Sequence, residues 1–172
     1  MHKLPIVLLL AAAPAFAQPG PVPPRQAERP TPRSVGKWGD WEVFASREAD
    51  AAVCHALSRP FSSVPAVAGR GEPKLTVVRR PDRPDTVALA SGRAGVGTAG
   101  VELRVGSELF PFEAGPDGAS ARDGAAVVAA MERGLQAVVR FVEPGGARAT
   151  DTYSLRVFRA AYGAMRRICP AR

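Results

Sequence analysis

The sequence predicts a mainly β protein: a single antiparallel β-sandwich with two short α-helices, one mid-chain and one C-terminal. Three observations lead to this class. Short segments of alternating apolar and polar residues follow one another closely, a period typical of strands. Glycine and proline mark tight turns between several of them. Only two segments have helical periodicity, and many strands with few helices favour an antiparallel sheet over βαβ units.

Eight segments have the pattern of strands. In the first, Trp41, Val43 and Ala45 alternate with the residues between them, which suits a strand with one buried face. Residues 106–107 are Gly-Ser and residues 144–146 are Pro-Gly-Gly, and both are signals for hairpin turns. The predicted strands cover residues 41–46, 52–58, 74–80, 85–91, 100–105, 108–113, 135–143 and 148–154.

The mid-chain helix is predicted over residues 124–134, "GAAVVAAMERG". Its alanines favour helix, and Asp123 is a suitable N-cap. Gly134 is suited to the C′ position, where a left-handed residue commonly ends a helix.

The C-terminal helix is predicted over residues 155–169. Its apolar residues recur at spacings of three and four, which places them on one face that should lie against the sheet. Arginines on another face form a row that is suited to phosphates or acidic partners, or is simply the solvent side of the helix. The apolar face is Leu155, Phe158, Tyr162, Met165 and Cys169, and the other face is Arg156, Arg159, Gly163 and Arg166.

The N-terminus predicts export. Lys3, an apolar run and the small-residue ending Ala15-Phe16-Ala17 are the parts of a cleaved secretory signal peptide over residues 1–17. Residues 18–36 are rich in proline and poor in large aliphatic residues, so we expect a disordered linker or spacer there. The folded domain is predicted over residues 37–172. No later stretch is long and apolar enough to span a membrane, so we expect a mature form without a transmembrane span.

The charge is positive and spread along the chain. Loss of Lys3 with the signal peptide lowers the formal net charge from +7 to +6. Such an exported protein is suited to anionic lipid headgroups or polysaccharide, although a solvated surface explains the same composition. We expect no nucleic-acid partner.

The two cysteines, Cys54 and Cys169, favour a disulfide, because an even number in an exported chain meets an oxidising compartment. The alternative is a reactive thiol at the end of the last helix. That thiol would have to escape oxidation by the other cysteine.

Motifs for cofactors and metals have the wrong context. Residues 95–100, "GVGTAG", match a dinucleotide fingerprint, but a strand-like segment follows them where the motif needs a helix. His55 is the single histidine beyond the signal peptide and should be a strand-surface imidazole facing away from Cys54. We therefore expect no cofactor, no metal site and no catalytic residues.

A pair of carboxylates leaves one enzymatic alternative. Asp40 and Glu42 flank Trp41, a combination found in sites that bind or cleave sugars. Glycoside hydrolysis needs two carboxyl groups facing one another across a cleft, which spacing in the sequence does not show. A solvated acidic strand edge beside a core tryptophan is the other interpretation.

The ordered set of segments resembles the invasion-associated locus B family. The resemblance rests on "WGDWEVF", "CHALSRP", "RGEPKLTVVRRP", "PDTVALASG", "VELRVGSELFPF", "AAMERG" and "TDTYSLRVFRAAYGAMRRIC", and covers about residues 36–169. It implies a small exported protein of Gram-negative bacteria, periplasmic or surface-associated, with a β-rich fold. It also implies a disulfide between Cys54 and Cys169. It supplies no catalytic residues.

The chain departs from the resemblance in places. Val157 stands where many relatives have glycine, which blurs the expected boundary between the last strand and helix. Residues 62–69 and the loop around residues 92–100 are divergent, and loops are where binding specificity lies. Our first hypothesis is a non-enzymatic periplasmic domain that binds or supports an envelope protein or glycan. Two alternatives are a small hydrolase of envelope carbohydrate that uses Asp40 and Glu42, and a factor that engages host surfaces through its charge.

Overall fold

Eleven strands and two helices form in the described part of the chain. The computed structural model describes residues 31–48, 50–66, 70–92, 100–115, 118–142 and 146–171. The strands are β1 (Arg33–Trp38), β2 (Trp41–Glu48), β3 (Ala51–Ser58), β4 (Ser62–Val64), β5 (Lys74–Arg80), β6 (Arg83–Ala90), β7 (Glu102–Val105), β8 (Glu108–Gly115), β9 (Gly118–Ala121), β10 (Gln136–Val142) and β11 (Arg148–Ser154). The helices are α1 (Gly124–Arg133) and α2 (Phe158–Ile168).

All strand pairs are antiparallel, in the order β1-β2-β3-β5-β6-β9-β8-β7-β10-β11-β4. Strand β8 pairs with β9 through its C-terminal part and with β7 through its N-terminal part. It therefore joins a first half of the sheet (β1, β2, β3, β5, β6, β9) to a second half (β7, β10, β11, β4). The predicted mainly β class is confirmed, and the hydrogen bonding of the two halves is continuous through β8.

One core lies between the two halves and the helices. Alternate residues of β2, β3, β5, β6, β10 and β11 are buried, as their period of two requires. Val77 and Leu89 of the first half belong to the same cluster as Leu103 and Val139 of the second half. The apolar residues of both helices join this cluster, so the opposite faces of both halves point outward.

Three of the strands were not predicted. Strand β1 lies at the end of the proline-rich segment, so the predicted linker, 18–36, is wrong over residues 33–36, which pair with β2. Strand β4 has three residues and β9 has four small ones, too few to show a period. The predicted signal peptide, 1–17, and residues 18–30 of the linker lie outside the described residues.

Helix α1 begins after the predicted cap, Asp123, but Gly134 ends it for a different reason from the predicted left-handed conformation. The Asp123 carboxylate accepts a hydrogen bond from the Ala126 N–H at 2.9 Å. Gly134 has a φ of −81°, so no left-handed conformation is needed at this C-cap. A Cβ at this position would lie 2.3 Å from Val105 Cγ1, and close contact with β7 is therefore what requires glycine.

Helix α2 begins at Phe158, three residues later than predicted, because residues 156–157 form a turn after β11. Phe158, Tyr162 and Met165 are buried against the sheet as predicted, and the arginines of the row are exposed.

The predicted disulfide between Cys54 and Cys169 is confirmed. It joins β3 to the C-terminal end of α2 across 115 residues, with the two Cα atoms 6.0 Å apart. A crosslink that closes a loop of this size contributes roughly 4–5 kcal/mol in the chain-entropy description. The Arg79 side chain reinforces the junction by donating a hydrogen bond to the Cys169 carbonyl at 2.8 Å.

A cluster beside the disulfide fixes the face of α2. Arg79 contacts both carboxylate oxygens of Asp85 at 2.9 Å, and the Tyr162 hydroxyl donates to the same carboxylate. Burial and the Asp85 carboxylate raise the pKa of Tyr162, so the hydroxyl keeps its proton. The cluster therefore links β5, β6 and α2 through one aspartate.

A buried ion pair connects the two halves of the sheet. Arg70 lies before β5 and forms a two-pronged contact with Asp151 of β11, with Arg70 Nη1 2.8 Å from Asp151 Oδ1. The two side chains are 5% and 0% exposed. Arg70 also donates to the carbonyl of Ser91, at the end of β6, and its guanidinium lies over the Phe141 ring of β10. Ser63 of β4 donates to the same aspartate.

We expect Asp151→Asn to lower the free energy of unfolding by about 3–5 kcal/mol, because it leaves the buried arginine without a counter-charge. The measurement is denaturant unfolding at neutral pH. Tyr153→Phe, two residues away on the same buried face, is the control. The Tyr153 hydroxyl has no hydrogen-bond partner among the described residues, so its removal should change stability by less than about 1 kcal/mol. Equal losses in the two variants would contradict this role of the ion pair.

Candidate functional site

The two carboxylates singled out in the sequence, Asp40 and Glu42, line one small hollow at the surface. Its volume is about 240 Å³. It lies where the ends of β1, β2 and β3 meet the segment that leads into β4. We call it the Phe61 hollow, and its lining residues are Lys37, Asp40, Glu42, Leu57, Arg59, Pro60 and Phe61.

Strand register builds one wall of the hollow. Lys37 of β1 is opposite Glu42 of β2, and Glu42 is opposite Leu57 of β3, so the three lie in a row across the sheet. Gly39 and Asp40 form the two-residue turn between β1 and β2. Gly39 has a φ of +53°, which a two-residue hairpin turn commonly requires and glycine readily adopts. The turn therefore places Asp40 beside this row.

Trp41 attaches this part of the sheet to the core on its buried side. Its side chain is fully buried, and its indole N–H donates a hydrogen bond to the Ser154 carbonyl at 2.8 Å. Its ring also packs against Phe158 of α2, with centroids 4.7 Å apart. The strand that carries Glu42 is thus attached to β11 and to α2.

The opposite wall comes from the segment that crosses between the halves. The N–H of Phe61 donates to the Thr152 carbonyl of β11 at 2.9 Å, while its side chain is 58% exposed. Arg59 contacts the Glu72 carboxylate at 2.9 Å, and this hydrogen bond holds the pKa of Glu72 below its usual value. A fixed backbone therefore presents an exposed aromatic ring and a cation.

The hollow offers two kinds of contact to a ligand. The lining contains two cations, Lys37 and Arg59, and two carboxylates, Asp40 and Glu42, so its formal charges balance. This balance suits a polar ligand that carries both hydrogen-bond donors and acceptors. Phe61 adds an aromatic face of the type that is enriched at recognition surfaces. Phe61 and Arg59 were not singled out in the sequence, because an aromatic residue next to proline in a connecting segment has no periodicity that marks it.

His55 lies elsewhere, on the outer face of the first half. It is half-buried in β3, opposite Phe44 and Val78, and faces away from the buried Cys54 as predicted. Burial lowers the pKa of His55, and the nearby Arg80 lowers it further, whereas Glu48 acts in the opposite direction. Neutral imidazole is therefore the favoured form in the folded protein.

Three further sequence features concern the glycine-rich loop, metal ligands and membrane spans. Residues 95–99 of the glycine-rich loop lie outside the described residues. In the described part of the chain, no three histidine, cysteine, aspartate or glutamate side chains are grouped so that they could hold a metal ion. No helix among the described residues is long and apolar enough to cross a membrane.

Comparison with known proteins identifies a family. The family model described as Invasion associated locus B (IalB) protein matches residues 41–166. No curated protein and no solved structure matches the chain. The matched residues include β2 and β11 and end within α2, so they contain Glu42, Phe61 and the Arg70–Asp151 pair.

We expect the wild-type protein to lose more stability on acidification than His55→Gln. The folded-state pKa of His55 lies below the ordinary histidine value of 6.5, so the unfolded chain binds the proton more readily. The contribution of neutral His55 to the free energy of unfolding is therefore complete above pH 6.5 and is lost as the pH falls through the folded-state pKa. The measurement is the unfolding midpoint of both proteins at about pH 7.5 and about pH 5. Equal shifts in the two proteins would contradict this effect.

Proposed function

The chain belongs to the invasion associated locus B (IalB) family, and we propose that it is an exported, non-enzymatic domain that binds a protein or glycan of the cell envelope. The observation that carries this proposal is the Phe61 hollow. Its backbone is held from both halves of the sheet, and four of its lining residues, Lys37, Asp40, Arg59 and Phe61, are exposed. A preorganised surface binds with a smaller loss of conformational entropy than a mobile one.

The location outside the cytoplasm is supported by two features. The structure contains a disulfide, which is typical of oxidising compartments. The first 17 residues have the pattern of a secretory signal peptide. We propose the periplasm as the site of action, with exposure at the outer surface and contact with a host as an extension of the same binding role.

Phe61 is the side chain expected to contribute most to binding. It is a large, exposed apolar ring among charged residues, and large aromatic side chains commonly contribute much of the affinity of an interface. Lys37, Asp40 and Glu42 on one wall and Arg59 on the other would orient the ligand. The formal charges of these residues cancel, so binding here should depend weakly on salt.

The hydrolase alternative is favoured by one observation. Asp40 and Glu42 line the same hollow, as a pair of catalytic carboxylates would. In that case Asp40→Asn and Glu42→Gln would each abolish cleavage of envelope glycan fragments, whereas a binding domain leaves the fragments intact. Mass spectrometry of peptidoglycan fragments after incubation with the protein separates the two functions.

We expect a photo-crosslinking residue at position 61 to capture a discrete partner in the periplasm, and the same residue at position 82 to capture none. Asp82 is a suitable control because it is exposed and lies outside the hollow. Parallel titration with peptidoglycan fragments covers glycan ligands, which protein crosslinking would miss.

The affinity of that partner or fragment is the quantitative test. Phe61→Ser should weaken binding by a factor of about 10 or more, because truncating an aromatic residue on which an interface depends commonly costs over about 1.4 kcal/mol. Ile168→Ser is the control, since Ile168 is an exposed aliphatic residue, at 37%, and lies outside the hollow. Equal losses in both variants, or no ligand in either assay, would overturn the proposal.

A further inference from the structure

The outer face of the second half carries a diagonal stripe of arginines. Buried residues alternate with outward ones along β7, β10 and β11, and the outward set includes Arg104, Arg140 and Arg148. Each of the three is exposed. We call the outward side of these strands the arginine face.

The register of the strands aligns these three residues. Arg104 is opposite Val138, so Arg140 is its diagonal neighbour on β10. Arg148 is opposite Val142, which makes it the diagonal neighbour of Arg140 on β11. Diagonal neighbours across a strand pair have Cα atoms about 7–8 Å apart, within reach of long side chains. Three like charges therefore follow one line across the face.

Little negative charge offsets this stripe. Glu102 lies 3.8 Å from Arg140 and is the one carboxylate on the outward side of these three strands within the described ranges. Arg104 and Arg148 form no ion pair with any described residue. Like charges held together without counter-charges destabilise a sheet, so a bound anion would stabilise this arrangement.

Exposed apolar residues adjoin the arginines. Arg104 and Arg156 line one hollow of about 700 Å³ together with Leu135 and Val138. Leu135 is 70% exposed, and Leu109, opposite Arg104 on β8, is 55% exposed. Large exposed aliphatic side chains beside cations are typical of surfaces that lie in a membrane interface, where the cations meet headgroups and the apolar groups enter the acyl boundary.

We propose that the arginine face binds the surface of an anionic, phosphate-bearing lipid membrane. Guanidinium groups bind phosphate through paired hydrogen bonds, and the diagonal spacing allows each arginine to contact a separate headgroup. Leu109 and Leu135 favour lipid over a soluble polyanion, because a polysaccharide offers no apolar phase to bury them. The protein would then be a peripheral membrane protein held by one face.

This inference goes beyond the proposed function and uses none of the residues of the Phe61 hollow. A membrane on the outer face of β7, β10 and β11 is expected to leave the hollow open to a second partner. The two proposals can therefore fail separately.

The test is co-sedimentation of the disulfide-bonded protein with vesicles. We expect binding to phosphatidylcholine vesicles that contain phosphatidylglycerol, and none to phosphatidylcholine alone. Arg104→Gln, Arg140→Gln and Arg148→Gln combined should reduce binding on the order of 100-fold, from the usual contribution of each basic residue at an anionic surface. Higher salt should weaken the wild-type binding.

A matched triple variant separates the face from net charge. Arg47→Gln, Arg83→Gln and Arg122→Gln remove the same charge from exposed positions on other strands or loops, and should retain most of the binding. Equal losses in the two triple variants would overturn the inference, as would binding to neutral vesicles at the same level.

The leucines distinguish a membrane from a soluble polyanion. Leu109→Ser with Leu135→Ser should weaken vesicle binding and leave binding to a soluble sulfated polysaccharide unchanged. If this double variant binds vesicles like the wild type, or if the polysaccharide binds as tightly as the vesicles, the membrane assignment is wrong. The double variant keeps all arginines, so it also tests the inference if the arginine triple variant does not fold.

Discussion

The buried ion pair between Arg70 and Asp151 is the contact on which the rest of the structure depends. The sheet is joined along its strands through β8, but its first and second halves must also be held together across the core. Arg70 does this by contacting β11 through Asp151, the end of β6 through the Ser91 carbonyl and β10 through the Phe141 ring. A charge with so little exposure to water is tolerated because its hydrogen bonds are directed to fixed acceptors.

Strand β11 is where the other connections between the halves converge. The Phe61 N–H reaches the Thr152 carbonyl, and the Trp41 indole reaches the Ser154 carbonyl. Both contacts use backbone oxygens near Asp151. These two hydrogen bonds hold the walls of the Phe61 hollow in place, since one wall adjoins Trp41 and the other contains Phe61. The outward residues of the same strand contribute Arg148 to the arginine face, so β11 supports both candidate binding surfaces.

The two surfaces differ in the balance of their charges. The lining of the Phe61 hollow has two cations and two carboxylates, whereas the arginine face has three arginines in a line and one carboxylate, Glu102, beside Arg140. A balanced surface favours contacts that depend on shape and hydrogen bonds, while an unbalanced one favours long-range attraction to an anion. A domain with both could lie on a membrane by one face and bind a partner by the other.

The sequence by itself determined the elements whose periods are long enough to read: eight of the strands, both helices and the Asp123 cap. It also indicated the Cys54–Cys169 pair, through the number of cysteines and the family resemblance. Strands β1, β4 and β9 could not be predicted from the sequence, because they are short or lie in a proline-rich segment. Their conformation depends on pairing with a neighbouring strand. Asp40 and Glu42 were found as residues, but their meeting with Phe61 and Arg59 required the turn at Gly39 and the crossing between halves. Only the tertiary structure placed Arg70 against Asp151 and aligned the three arginines, because strand register and long-range packing decide which distant residues become neighbours.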